Sequence, residues 1–322
     1  MSGFRLVGFV VALGVVAACW ALTCAAWRFD EVAEGVLPLE PRDFPRLTLV
    51  TLGTGGAYEN PGRRGPATAV ALGRRVVVID AGRGVAESLR AAKLPVAQPD
   101  TLLLTHLLPE NTVGLDDLLL TGWLEGRAAP LRVIGPPGTR ALVEGVAAAQ
   151  AGAIAALASA LALPPAGASA TALEIGDGWS ESEGGLSVRA AALPGGPLDA
   201  RAYRFEAEGR SAVVSGTGWG ADALAGFARA AGVLVHEAAF APGPEVAREL
   251  GIEAQGDRIQ REAALHTSLE AVGGLAARAG VGTLVLVRLR PPPVFDLQIT
   301  SLVDDRYDGR ILIANDGDEI TP

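Results

Sequence analysis

Apolar residues fall in two patterns along the chain. Leu6 to Trp27 is an uninterrupted apolar run of about 22 residues, the length at which an α-helix crosses a bilayer. Beyond it the runs are short and bounded by Gly, Pro and Asp. "RLTLVTLG" and "ATAVAL" read as strands around a Gly-rich turn, "RRVVVID" as a buried strand, and "DTLLLTH" and "PLRVIG" as two more. Segments of helical period lie between them, starting after Asp80-Ala81-Gly82 and near Arg140. The second half repeats the style in "LSVRAAAL", "AYRFEAEGRSAVVSGTG", "GVLVHEAAF", "GTLVLVRL" and "GRILIA". Strand-rich halves with helices outside predict a four-layer αββα sandwich over residues 47–322. Residues 1–28 are expected to form a membrane anchor, and the Pro- and charge-containing residues 29–46 a linker. Residues 145–163 carry no charge. Alanine contributes little to membrane insertion and Gln150 interrupts the run, so a soluble helix packed on the body is expected there.

The apolar run has three readings. It can be an uncleaved signal anchor, with Trp20 and Trp27 at one interface. It can be a cleaved signal, with small residues at Cys24-Ala25-Ala26. It can be a lipoprotein signal ending at Cys19, although residues 20–27 stay apolar where a polar tether is usual. The anchor is the favoured reading, which places the chain in a bacterial inner membrane as a single-pass protein, in contact with the bilayer through residues 6–27 and with a periplasmic body. The net charge of −9 and a pI near 5.0 argue against general affinity for nucleic acid. The cysteines, Cys19 and Cys24, lie in the apolar run, so the body has no thiolate metal site and no disulfide framework.

In order along the chain, "LGTGGAYENPGRRGPATAVAL", "VVVIDAGRGV", "LLLTHLLPENTVGLDDLLLTGWLEGR", "PLRVIGPPGT", "AYRFEAEGRSAVVSGTG", "VLVHEAAF" and "HTSLEAVGGLAARAGVGTLVLV" resemble the metallo-β-lactamase fold superfamily, in its ribonuclease Z and arylsulfatase-like branch. The resemblance spans Arg46 to Glu319. It implies metal-assisted hydrolysis by two divalent ions sharing a hydroxide, with first ligands written Thr-His-x-His-x-Asp-His. Here that stretch reads Thr105-His106-Leu107-Leu108-Pro109-Glu110-Asn111. His106 matches. Leu108 stands at a His, Glu110 at the Asp and Asn111 at a His. A later His is missing from Leu193-Pro194-Gly195-Gly196, Thr217 stands at the bridging Asp, and Arg288 at the last His.

A zinc site needs at least three protein ligands, so the expectation is loss of the metal site and no cofactor. The resemblance places His266 beside the reaction centre as a general acid, with His236 and Glu237 near it. His106, Glu110, His236, Glu237 and His266 are therefore remnant catalytic candidates, and Arg288, Asn111 and Thr217 candidate ligand-binding residues. Arg288 is expected to replace some of the metal's charge, pairing with Glu110 or an anion. Asp80 supports the ligand loop in the family; a turn-stabilising carboxylate is the plainer use. The favoured function is a catalytically inactive scaffold or accessory subunit bound to an integral-membrane partner, without nucleic acid. The alternatives are a phosphate- or sulfate-ester hydrolase with a reduced metal site, and a small-anion binding protein.

Overall fold

The computed structural model describes residues 2–36, 38–56, 62–240, 244–249, 251, 258, 260–290, 296–304 and 306–322. The chain divides into two units, Met1–Leu39 and Glu40–Pro322. The first is one helix, α1 (Ser2–Val36). It continues through residues expected to belong to the linker, because Glu31, Ala33 and Glu34 favour helix and the first proline comes only at Pro38. Within it Leu13, Val16, Trp20, Leu22 and Trp27 are exposed.

The second unit runs β1 (Phe44–Gly53), β2 (Ala67–Gly73), β3 (Arg75–Ile79), α2 (Val85–Ala91), β4 (Thr101–Leu103), α3 (Pro109–Thr112), α4 (Leu115–Leu124), β5 (Leu131–Gly135), α5 (Thr139–Leu161) and β6 (Ala170–Glu174). It goes on through β7 (Ser180–Glu183), β8 (Leu186–Ala192), β9 (Arg201–Ala207), β10 (Arg210–Ser215), α6 (Ala221–Phe227), β11 (Val233–Ala239) and α7 (Pro244–Glu249). It closes with α8 (Leu269–Ala279), β12 (Thr283–Arg290), α9 (Asp296–Asp304), β13 (Arg310–Ile313) and β14 (Glu319–Ile320). One sheet has the order β14-β1-β2-β3-β4-β5-β6, the other β13-β12-β11-β10-β9-β8-β7. In each, an antiparallel meander passes into parallel strands joined by helices, as parallel pairing requires.

Apolar residues on both faces of the central strands produce the layers. Leu47 and Leu49 of β1 face the space between the sheets, with Tyr203, Phe205, Val285 and Val287 opposite. Val50 and Leu52 face outward to Val85, Leu89, Leu115 and Leu118 of α2 and α4. Leu284 and Leu286 of β12 face Leu224, Val272 and Leu275 of α6 and α8. The αββα sandwich is therefore present.

Of the described helices, α5 has the length and composition of a membrane span, and the apolar stretch Leu13–Phe29 of α1 is shorter. Length and composition alone do not make either a transmembrane helix, so the expected N-terminal span is not established. α5 links parallel neighbours β5 and β6, so one sheet holds both its ends. Its packing is slighter than expected: Thr139 and Val143 are buried and Leu142 and Val146 partly so, while most of the alanines stay exposed. Each alanine offers little area to bury.

Candidate active site

The site lies where the ends of β3, β4, β10, β11 and β12 meet. Asp80, one residue past β3, adopts a left-handed φ of 61°. Its Oδ1 accepts from the Thr105 backbone N–H at 2.8 Å, and its Oδ2 from the Thr105 hydroxyl at 2.8 Å and Asn111 Nδ2 at 2.7 Å. Burial pushes the Asp80 carboxyl up to about 6, against those hydrogen bonds and the charge of Arg288. Asp80 thus fixes both ends of the loop that carries His106. Asn111 turns its amide to Asp80 and Thr105 rather than into the pocket.

Arg288 stands in the middle. Its φ of 54° is left-handed, where β-strand pairing with β11 shifts register between Glu237 and Ala239. Its backbone N–H donates to Thr54 O at 2.8 Å, tying β12 to the end of β1. Thr54 is held in turn by Asp316, whose Oδ1 accepts from its N–H and hydroxyl and whose Oδ2 accepts from the Arg64 N–H. The Arg288 guanidinium donates from Nη1 to Gly216 O at 2.6 Å. Nη2 lies 3.1 Å from Glu110 Oε1 and 2.9 Å from Glu237 Oε2. Arg290 adds a second cation, with Nη2 2.5 Å from Glu110 Oε2 and Nη1 2.9 Å from Glu262 Oε1. Glu237 Oε1 accepts from the Gly218 N–H at 2.8 Å and lies 2.8 Å from His266 Nδ1. The result is a continuous ladder: Glu262, Arg290, Glu110, Arg288, Glu237, His266.

Electrostatics follow from that order. Burial alone would raise the Glu237 carboxyl; Arg288 foremost, then His266, brings it down to about 2. Burial acts the same way on Glu110, and Arg288 and Arg290 outweigh it, so its carboxyl sits below the usual range. Burial lowers Arg288, but Glu237, Glu110 and Asp80 raise it further. His106 is pushed down to about 4, first by burial and then by Arg288. Its Nε2 lies 3.1 Å from Gly216 O. A carbonyl only accepts, so Nε2 carries the proton and the ring is neutral. His236 is likewise lowered to about 4, chiefly by burial, with Nε2 2.7 Å from the Thr267 hydroxyl.

Of the residues singled out from sequence, His106, Glu110, Glu237, His266 and Arg288 meet directly or through Gly216 O. His236, beside them on β11, turns to Thr267. Thr217 keeps to its own turn, where its hydroxyl accepts from the Trp219 N–H. Arg290, Glu262 and the Gly216 carbonyl escaped the sequence reading. The Arg288-Leu289-Arg290 alternation was the available signal for Arg290, since i and i+2 share a strand face. Trp219 also escaped it. Its indole is buried, lies 5.7 Å from the His106 ring, and presses so close to Gly196 that a Cβ there would sit 2.0 Å from it.

The donor set does not fit two divalent ions as it stands. Among the described residues no three His, Cys, Asp or Glu side chains converge as metal ligands. Leu108 packs against the helix-side core of the second sheet, His106 Nε2 is turned to a carbonyl, and the Arg288 guanidinium lies between the two buried glutamates.

Comparison with known proteins gives the chain its relatives. No family model matches it. Ribonuclease Z of Mycobacterium marinum is 32% identical over 280 residues, covering 84% of this chain and 96% of the relative. Ribonuclease Z of Mycobacterium bovis is 31% identical over 284 residues with the same coverage. Among solved structures, the metallo-β-lactamase fold protein YhfI from Bacillus subtilis superposes with TM-score 0.65 at 15% identity, covering 85% of this chain and 99% of that one. Human tRNase Z, short form, superposes with TM-score 0.61 at 18% identity, covering 85% and 98%.

These relatives overturn several expectations. The inactive scaffold or accessory subunit in a membrane complex gives way, because the similar sequences are named as ribonucleases and cover nearly the whole body. The expectation of no enzyme falls with it, and the inner-membrane, periplasmic setting finds no support in these relatives. The exclusion of nucleic acid also fails. Net charge is an average, whereas Arg64 and Arg83, with Arg63 beside them, lie on neighbouring loops joined by Gly55 N–Arg64 O and Gly65 N–Arg83 O hydrogen bonds. The expectation of no metal cofactor is withdrawn as well, because the chain is about one-third identical to ribonuclease Z over nearly the whole body. The chain belongs to the metallo-β-lactamase fold superfamily, among the relatives of ribonuclease Z.

Proposed function

We propose that the chain is a nucleic-acid-processing hydrolase that cleaves a phosphodiester bond in RNA, with tRNA the first substrate to examine. The observation that carries this reading is the buried Glu237–His266 pair at 2.8 Å, within a sequence about one-third identical to ribonuclease Z along the whole body. Phosphodiester cleavage needs a proton delivered to the departing oxygen, a task for a positioned imidazole. The ionised Glu237 carboxylate faces His266 Nδ1 in a contact of charge, which leaves Nε2 as the nitrogen that transfers the proton. Gly218 N–H and Arg288 fix Glu237 in turn. The loops bearing Arg63, Arg64 and Arg83 supply cations for the phosphate backbone.

The test is cleavage of precursor tRNA carrying a 3′ extension by the full-length chain, with and without added divalent ions. His266→Ala and Glu237→Gln are each expected to lower the cleavage rate by about 100-fold or more, with RNA affinity within about threefold of the unmodified chain. Cleavage indifferent to both substitutions, or absent under every ionic condition, would sink the proposal.

A further inference from the structure

We propose that the Arg288 guanidinium is the resident cation of this pocket, and that it competes with a hard divalent cation such as Mn²⁺ for one oxygen cradle. The cradle consists of Glu110 Oε1, Glu237 Oε2 and the Gly216 carbonyl, at 3.1, 2.9 and 2.6 Å from the two terminal nitrogens. The inference rests on this geometry and not on the substrate proposed above.

Two buried carboxylates facing one another require a cation. Their side chains are only 8% and 1% exposed, so solvent does not supply one. Within the ladder Arg288 and Arg290 face the three carboxylates of Glu110, Glu237 and Glu262. Removing Arg288 leaves Glu237 without its cation, and Arg290 cannot replace it because it already bridges Glu110 and Glu262.

A second observation points to a spherical cation as an alternative occupant. Glu237 Oε2 is buried and makes no hydrogen bond; its contact with Arg288 is one of charge alone. A guanidinium is planar and directional, and it leaves that oxygen unaligned. A divalent ion has no such preference and takes carboxylate and carbonyl oxygens together. The nearby imidazole of His106 already leans on the same Gly216 carbonyl at 3.1 Å. The chain places the guanidinium here by its backbone, since the bulge at Arg288 and its N–H bond to Thr54 O fix where the side chain starts. Metal entry therefore requires the side chain to swing out while the backbone stays.

The experiment measures Mn²⁺ uptake by calorimetry and elemental analysis on the full-length chain, with thermal melting alongside. Arg288→Ala is expected to bind one Mn²⁺ per chain at least tenfold more tightly than the unmodified protein. Arg288→Lys, which keeps a cation, should behave as the unmodified protein does. Adding Glu237→Gln to Arg288→Ala should abolish the gain. If Arg288→Ala does not fold unaided, Arg288→Gln replaces it, and folding restored by millimolar Mn²⁺ or methylguanidinium supports the proposal. Equal Mn²⁺ affinity with and without Arg288, a gain that survives Glu237→Gln, or variants that neither cation rescues would each overturn it. Because the readout is ion uptake rather than RNA cleavage, failure here is separate from failure of the hydrolase reading.

Discussion

At the scale of single residues, the pocket is a set of buried charges that define one another. His106 and His236 both titrate near 4 in the folded chain, against about 6.5 unfolded. The unfolded state therefore takes up more protons between those values. Stability from the two rings is complete above pH 6.5 and is lost as pH falls towards 4. Asp80, raised to about 6, works in the opposite sense over part of the same window. Two imidazoles outweigh one carboxylate, so the melting temperature should fall from pH 7 to pH 4.5. His236→Gln should flatten that slope, and melts in a pH series check it; an unchanged slope would count against neutral buried imidazoles. Gly216 leaves no room for a side chain. A Cβ there would sit 1.8 Å from the Thr105 hydroxyl, which Asp80 holds. Gly216→Ala should cost about 3 kcal/mol, read from urea unfolding.

At the scale of elements, many of the body's strands could be read as short apolar runs, because both faces of β1 and β12 are apolar, whereas their order in the sheets was not read. The helix at 139–161 was legible in place but not in cover, since an alanine-rich segment looks the same whether buried or bare. The Glu110–Arg288 pair was legible as an exchange of residue types at facing positions. Glu237 and His266 were legible as candidates as well; Arg290 and Glu262 were passed over, and although the Arg288-Leu289-Arg290 alternation marks Arg290, nothing in the hydrophobic period marks the bulge at Arg288 or ties Arg290 to Glu262. Nor could sequence show that Trp219 fills the space beside Gly196, since no local pattern ties those positions. α1 forms a unit apart from the body, so a chain lacking residues 1–39 should melt within about 2 °C of the full length. A larger drop in scanning calorimetry would show that the helix stabilises the body.

At the scale of the whole molecule, net charge misled where charge distribution did not. A chain at −9 binds RNA only if its cations are gathered, and Arg63, Arg64 and Arg83 lie on hydrogen-bonded loops at one end of the sandwich. Arg83 is exposed there. Arg83→Ala should weaken RNA binding for all sequences alike and reduce the log-affinity against log-salt slope by about 1. A filter-binding series over salt checks this; an unaltered slope would move the RNA path elsewhere.

The anchoring of Thr54 by Asp316 bears on the order in which the protein is made. Thr54, Glu110, Glu237 and Arg288 are all synthesised before the segment that secures the β1 end, where β14 pairs with β1 at Leu49–Ile320 and Val50–Glu319. A ribosome that has translated every charged member of the ladder still holds an unlatched pocket. The pocket therefore sets only after residues 316–320 have been made, and until then the nascent chain carries those charges without the brace that keeps them in register.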